Sequence, residues 1–107
     1  AGWRVMRDSI GGLLDEAVPA EELERLRAII AANAEGAIEA HDLRTRHAGR
    51  ATFIEFHLVV PSDLTVSEAH DICDRIEKAI KARESEAVVT IHVEPENKAK
   101  HEGIVVL

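Results

Sequence analysis

The sequence predicts an α+β open-faced sandwich with the element order helix, strand, strand, helix, strand. Two stretches, at 19–35 and 65–81, repeat apolar residues every three or four positions, as amphipathic helices do. Two others, at 52–60 and 88–94, alternate in the manner of strands, and a less regular strand occupies 37–46. Two helices on one side of a three-stranded sheet give a fold of the ferredoxin-like kind.

The first helix is expected to begin at Pro19, because a residue without an N–H suits the first helical position. Its buried stripe comprises Leu23, Leu26, Ile29 and Ile30. Gly36, which adopts positive φ easily, is expected to end it. Residues 1–15 place Trp3 and further apolar residues at three- and four-residue steps, which predicts a short helical segment before the main domain.

The first strand is poorly patterned, since Ile38 and Ala40 suit one face and Leu43 the other. This pattern predicts a bulge or an exposed face. The second strand alternates cleanly and directs His57 away from its more apolar side.

The turn between these strands decides whether His41 and His57 share a face of the sheet. A three-residue loop at 47–49 would pair Arg46 with Arg50 and put both histidines on one side. A two-residue turn at 48–49 would separate them. The longer loop is expected, because Gly49 then supplies the left-handed residue that the loop needs.

The second helix begins with a predicted capping box formed by Thr65 and Glu68. Its buried stripe is Val66, Ala69, Ile72, Cys73, Ile76, Ala79 and Ile80. His70 lies at the border of this stripe, near the start of the helix. In the last strand His92 and Glu94 share a face, Pro95 is expected to stop the strand, and residues 96–107 form a C-terminal tail.

Length and charge restrict the partners of the chain. A chain of 107 residues forms one domain of a size that oligomerisation often supplements, so a homodimer is expected. The net charge of −7 argues against nucleic acid and anionic lipid as main partners. A single cysteine, Cys73, fits a reducing compartment and is expected to be a small core residue. The longest apolar run, at 28–32, is too short to span a bilayer, so a soluble chain is expected.

Four of the six histidines lie on predicted helices or strands, and they suggest a metal site. Neutral imidazole and carboxylate are ligands that zinc prefers. The predicted site consists of His41, His57, His70, His92 and Glu94, with His70 reaching its edge from the helix. Alternatively, each histidine is an ordinary surface or interface residue and Glu94 an edge carboxylate. His47 in a turn and His101 in the tail are expected to be solvated.

Four runs resemble the cytoplasmic C-terminal domain of cation diffusion facilitator transporters, the zinc, iron, manganese or cadmium/proton antiporters: HDLRTR at 41–46, FIEFHL at 53–58, EAH at 68–70 and VTIHVEP at 89–95. The resemblance covers residues 2–95. It implies that residues 1–15 follow the last membrane helix, that 16–95 form a ferredoxin-like regulatory domain and that 96–107 are a tail. It also implies a V-shaped homodimer with divalent metal, most often zinc, near its interface.

The family ligands fall on His41, His57, His70 and His92, and Glu94 stands where the well-described zinc member has Asp. The resemblance implies a regulatory domain rather than an enzyme. Its partner would be a membrane-embedded transporter domain at the cytoplasmic face of the inner membrane, and metal binding would close the dimer. Two alternatives remain open. One is a metal-independent dimerisation module or stand-alone metal-binding protein; the other is a metalloenzyme, since such ligands can activate water or oxygen.

Overall fold

The computed structural model describes residues 16–106, and the predicted helices and strands occur in the predicted order. Helix α1 spans Ala20–Asn33 and helix α2 spans Val66–Arg83. The strands are β1 (Glu16–Ala17), β2 (Glu39–Ala48), β3 (Ala51–Val60), β4 (Ala87–Pro95) and β5 (Ile104–Val105). A 3₁₀ helix, Glu96–Lys98, follows β4. The helical segment predicted at 1–15 lies outside the described residues.

The described sheet follows the order β1-β2-β3-β4, and β5 also pairs with β2. Strands β2 and β3 form an antiparallel hairpin, whereas β3 and β4 are parallel and are connected by α2. The hydrogen-bonded order β1-β2-β3-β4 therefore has four strands, one more than the three predicted. The additions β1 and β5 are two residues each, too short for an alternating pattern to reveal them.

Both helices pack on one face of the sheet, as predicted. The largest fully buried apolar side chains are Ile30, Ile54, Phe56, Leu58, Val59, Ile76 and Ile80. Burial of one such side chain contributes roughly 1.5–3 kcal/mol. Val66, predicted in the buried stripe of α2, is instead 86% exposed because it occupies the first position of the helix. Neither described helix combines the length and the apolar character needed to cross a membrane.

The helix ends are fixed by side chains. At the start of α2 the predicted capping box is present: the Glu68 N–H donates to Thr65 Oγ1 at 3.1 Å, and the Thr65 N–H donates to Glu68 Oε1 at 2.9 Å. Helix α1 ends at Asn33, earlier than the predicted stop at Gly36. Arg75 of α2 donates to the Asn33 carbonyl oxygen at 2.7 Å, so one helix caps the other.

The hairpin turn is shorter than predicted. Ala48 pairs with Ala51, so the turn consists of Gly49 and Arg50, and the pairing of Arg46 with Arg50 is wrong. Gly49 has φ of 61°, which suits a tight hairpin turn. His47, predicted in the turn, lies within β2 and is half-buried.

A β-bulge corrects the register that this short turn would impose. Between the pairs His41–His57 and Arg44–Glu55, β2 has two residues, Asp42 and Leu43, where β3 has one. Asp42 has φ of 55°, in the left-handed region. Because one residue is inserted, every side chain on the His41 side of the bulge changes face. His41 therefore shares a face with His57, as predicted although for a different reason, and the two residues are direct cross-strand partners.

Candidate metal centre

Five side chains converge on the sheet face opposite the helices, next to the bulge. We call this set the open-face cluster: His41, Asp42, His57, His92 and Glu94. His57 of β3 pairs with His41 of β2 on one side and with His92 of β4 on the other. The ring centroids of His41 and His57 are 5.4 Å apart, and those of His57 and His92 are 5.0 Å apart. Three strands thus bring three imidazoles into one row.

Glu94 lies among the three rings. Its Oε1 is 3.0 Å from His41 Nε2, and its Oε2 is 3.3 Å from His57 Nδ1 and 3.8 Å from His92 Nε2. The side chain is 16% exposed. Four of the five residues predicted as ligands are therefore neighbours in the structure, and a carboxylate and several imidazoles are a donor set suited to zinc.

Asp42 is a candidate ligand that the sequence analysis missed. Ligand atoms of His41, Asp42 and His57 all lie within 4.8 Å of one another. Asp42 Oδ2 is 3.5 Å from His57 Nδ1. The hydrogen bond that Lys100 Nζ donates to Asp42, at 3.1 Å, holds the pKa of this carboxyl below its usual value. The signal was the irregular pattern of β2, because Asp is one of the few residues that tolerate the bulge conformation.

Glu39 is a second residue that the sequence analysis missed. Its side chain is fully buried, and Oε2 lies 2.7 Å from His41 Nδ1. The backbone N–H groups of Lys100 and His101 donate to its two oxygens at 2.7 and 2.9 Å. Burial alone would raise the pKa of Glu39, but the hydrogen bonds from Lys100, His41 and His101 together lower it. Glu39 is therefore a buried, ionised partner of His41.

His41 has a carboxylate at each ring nitrogen, Glu39 at Nδ1 and Glu94 at Nε2. A neutral imidazole has one N–H donor and one acceptor nitrogen. When the proton is on Nδ1 and is donated to Glu39, the lone pair of Nε2 points toward the cluster. That is the arrangement in which a histidine binds a metal ion while a carboxylate orients it.

His57 gives a test of whether a cation fits the cluster. Its Nδ1 is buried and has no hydrogen-bond partner among the described residues, although Glu94 and Asp42 lie at ion-pair distance. A buried nitrogen without a hydrogen bond is uncommon. A cation bound at this nitrogen would satisfy it, and the ligand atoms of His41, Asp42 and His57 lie within 4.8 Å of one another, so these three residues fit a bound metal ion.

The structure places His70 apart from the open-face cluster. It is exposed on α2, its Nδ1 is 3.1 Å from Asp74 Oδ2, and it lines a groove with Val89 and Ile91. Those two strand residues pack against the core, so the groove is on the helix side of β4. Within one chain His70 and the cluster therefore lie on opposite sides of the sheet.

The remaining candidate residues have other surroundings. His47 Nδ1 is 3.0 Å from Thr52 Oγ1, and its Nε2 is 3.4 Å from Glu22 Oε2, near the hairpin turn. His101 is exposed. Cys73 is half-buried against the core, as predicted. Burial, followed by the charges of Asp74 and Glu77, raises the pKa of its thiol, which disfavours the thiolate that metals bind.

Comparison with known proteins places the chain in a family. Residues 18–96 match the family model of the cytoplasmic domain of cation efflux proteins. An uncharacterized transporter of Synechocystis is 36% identical over 94 residues, which are 88% of this chain and 30% of that protein. The cation-efflux pump FieF of Escherichia coli strain E2348/69 is 37% identical over 100 residues, 94% of this chain and 33% of the pump. The chain thus spans about a third of these relatives.

Solved structures agree with this placement. The zinc form of CzrB, described as a zinc transporter, has a TM-score of 0.74 at 49% identity, covering 81% of this chain and 99% of that chain. The metal-bound C-terminal domain of the CzcD transporter from Thermotoga maritima has a TM-score of 0.65 at 27% identity, covering 78% and 100%. The fold and the sequence agree, and the chain belongs to the family of cytoplasmic domains of cation efflux proteins, the cation diffusion facilitators.

Proposed function

We propose that this domain binds a divalent cation at the open-face cluster and thereby regulates cation efflux. The observation that carries the proposal is the meeting of His41, Asp42 and His57 ligand atoms within 4.8 Å, with Glu94 in contact with both histidines. Imidazole nitrogen and carboxylate oxygen are the usual zinc donors, and iron, manganese and cadmium are alternatives. Relatives described as an efflux pump and as a zinc transporter support a transition metal as the ligand.

The regulatory part of the proposal follows from charge. Each chain carries a net charge of −7, so two copies in a homodimer repel each other. A cation at the cluster would reduce this repulsion and favour a closed arrangement of a V-shaped dimer. The ligand shifts the population only by its difference in affinity for the two states. We further propose that the partner is a membrane-embedded transporter domain and that this domain lies at the cytoplasmic face of the inner membrane.

His70 enters the proposed site only across a subunit boundary. In its own chain it lies on the helix side of β4, whereas His92 projects from the opposite side of the same strand. A second copy of the chain would therefore have to supply His70 to the open-face cluster. Replacing His70 by Ala is then expected to weaken metal binding by the dimer without disturbing the cluster itself.

A calorimetric zinc titration tests the proposed function. The parent chain is expected to bind zinc, and His57→Ala is expected to weaken binding by roughly tenfold or more. His47→Ala is the matched control, because it removes a half-buried strand histidine near the hairpin turn and should leave binding unchanged. Equal binding by the parent and His57→Ala would contradict the metal site and favour the metal-independent dimerisation module.

A further inference from the structure

The C-terminal segment, residues 100–106, lies along the edge of β2 directly beside the open-face cluster. Ile104 pairs with Ala40, Val105 pairs with Glu39, and the Val106 N–H donates to the Ile38 carbonyl oxygen at 2.8 Å. The strand that carries His41 is therefore held by β3 on one side and by this segment on the other.

Gly103 shows that the segment fits closely against β2. It has φ of 70°, and a Cβ at this position would lie 2.5 Å from the Ala40 carbonyl oxygen and 3.2 Å from His41 Cα. No ordinary carbon–oxygen contact is that short, so only glycine allows the backbone to approach the neighbour of His41 so closely. A larger residue at position 103 would therefore displace the segment while every candidate ligand keeps its own side chain.

Glu39 connects the segment to His41. Two successive backbone N–H groups, those of Lys100 and His101, donate to its carboxylate, which also accepts from His41 Nδ1. These three groups satisfy a side chain that is wholly buried. If the segment left, Glu39 would lose two of its three partners and would no longer be held against the imidazole.

We propose that the C-terminal segment is an integral part of the metal centre, and that Glu39 is the positioning residue through which it acts. The segment holds Glu39, and Glu39 holds the proton on His41 Nδ1. Nε2 is then left to bind the cation. A carboxylate partner of a ligating histidine fixes the ring and strengthens it as a ligand. This inference rests on the proposed function, since it concerns the same metal site.

The side chain of Lys100 has the opposite effect to its backbone. Its Nζ lies 3.1 Å from Asp42 Oδ2, where it neutralises a carboxylate of the cluster. A cation that uses Asp42 as a ligand has to replace this ammonium group. The backbone of Lys100 therefore favours metal binding through Glu39, and its ammonium competes with the metal at Asp42.

Zinc titration of the full chain, combined with NMR, tests the inference. Glu39→Gln is expected to bind zinc about 10- to 100-fold more weakly and to change the ¹⁵N shifts of the His41 ring, which report its tautomer. Gly103→Ala keeps Glu39 and every candidate ligand, yet should accelerate amide exchange at Lys100 and His101 and weaken zinc binding. Lys100→Met should strengthen binding. Glu24→Gln, an exposed carboxylate on α1, is the charge-matched control and should equal the parent.

Two results would overturn the inference while leaving the metal site intact. One is a Glu39→Gln chain whose zinc affinity and His41 ring shifts equal those of the parent. The other is a Gly103→Ala chain with rapid exchange at Lys100 and undiminished affinity. If Glu39→Gln does not fold, Gly103→Ala decides alone. A parent that binds no zinc, or whose affinity is insensitive to His57→Ala, refutes the proposed function and the inference with it.

Discussion

Asp42 combines a backbone role and a chemical role at one position. Its left-handed conformation forms the bulge that turns His41 toward His57, and its carboxylate lies 3.5 Å from His57 Nδ1. Aspartate and asparagine tolerate this conformation better than residues with branched side chains. The two roles can therefore be separated by substitution.

Asp42→Asn is expected to retain the stability of the metal-free chain, because asparagine accepts positive φ, but to bind zinc more weakly. Asp42→Val is expected to lower the free energy of unfolding by roughly 1–2 kcal/mol, since a β-branched residue is strained there. Urea denaturation without zinc measures the stability of both variants, and a calorimetric titration measures the zinc affinity of Asp42→Asn. Equal stability of the two variants would contradict the role of Asp42 in the backbone.

Cys73 is expected to react slowly with iodoacetamide. Burial and the nearby charges of Asp74 and Glu77 raise the pKa of its thiol, so little of the reactive thiolate is present near neutral pH. Mass spectrometry should show slower alkylation of the folded chain than of the urea-unfolded chain at pH 8. Equal rates in the two states would show that the folded chain does not protect this thiol.

At the scale of elements, the long amphipathic repeats of α1 and α2 and the alternation in β3 and β4 were sufficient to predict those elements. The face that His41 shares with His57 was predicted correctly, but the predicted register of the hairpin was wrong. A short turn and a bulge each shift the alternation by one residue, and together they cancel at His41. The irregular pattern of β2 predicted a bulge or an exposed face, but the position of the bulge and the length of the turn are defined only by the pairing with β3.

Glu39 was missed because a carboxylate in a strand is normally exposed. Its burial depends on the backbone N–H groups of Lys100 and His101, which lie 61 and 62 positions later in the sequence. No local pattern reports contacts at that separation. The prediction therefore included all three imidazoles of the open-face cluster and added His70, which lies elsewhere. It missed the carboxylates of Asp42 and Glu39, because their positions depend on tertiary structure.

The capping box of α2 gives an element-scale prediction that depends on pH. Thr65→Ala is expected to lower the free energy of unfolding by about 1 kcal/mol at pH 7. The hydrogen bond from the Thr65 N–H lowers the pKa of Glu68 in the folded chain. The stabilisation by Glu68 is thus present above its unfolded pKa and is lost as the pH falls through its folded pKa.

Urea denaturation of Thr65→Ala and of the parent at pH 7 and at pH 3 measures this effect. The difference between the two chains should become smaller as the pH falls, because protonation of Glu68 weakens the reciprocal bond. Ser67→Ala, inside the same helix turn, is the control and should change stability little at either pH. A Thr65→Ala penalty that grows on acidification would contradict the assignment.

At the scale of the whole molecule, one face of the sheet carries the core and the other carries the cluster. This division leaves the open face available for a cation and for a second copy of the chain. Small-angle X-ray scattering is expected to show a dimer with and without zinc, and a smaller radius of gyration with zinc. His57→Ala should remain dimeric without contracting. A monomer in both conditions would rule out closure of a dimer as the mechanism.

Anomalous diffraction from zinc-grown crystals of the chain, measured on both sides of the zinc absorption edge, locates the metal itself. A metal centre on the open face predicts a peak about 2.0–2.2 Å from a ring nitrogen of His41 or His57 and from a carboxylate oxygen of Asp42 or Glu94. Peaks confined to His47, His101 or lattice contacts, with none between β2, β3 and β4, would contradict a metal site at the open-face cluster.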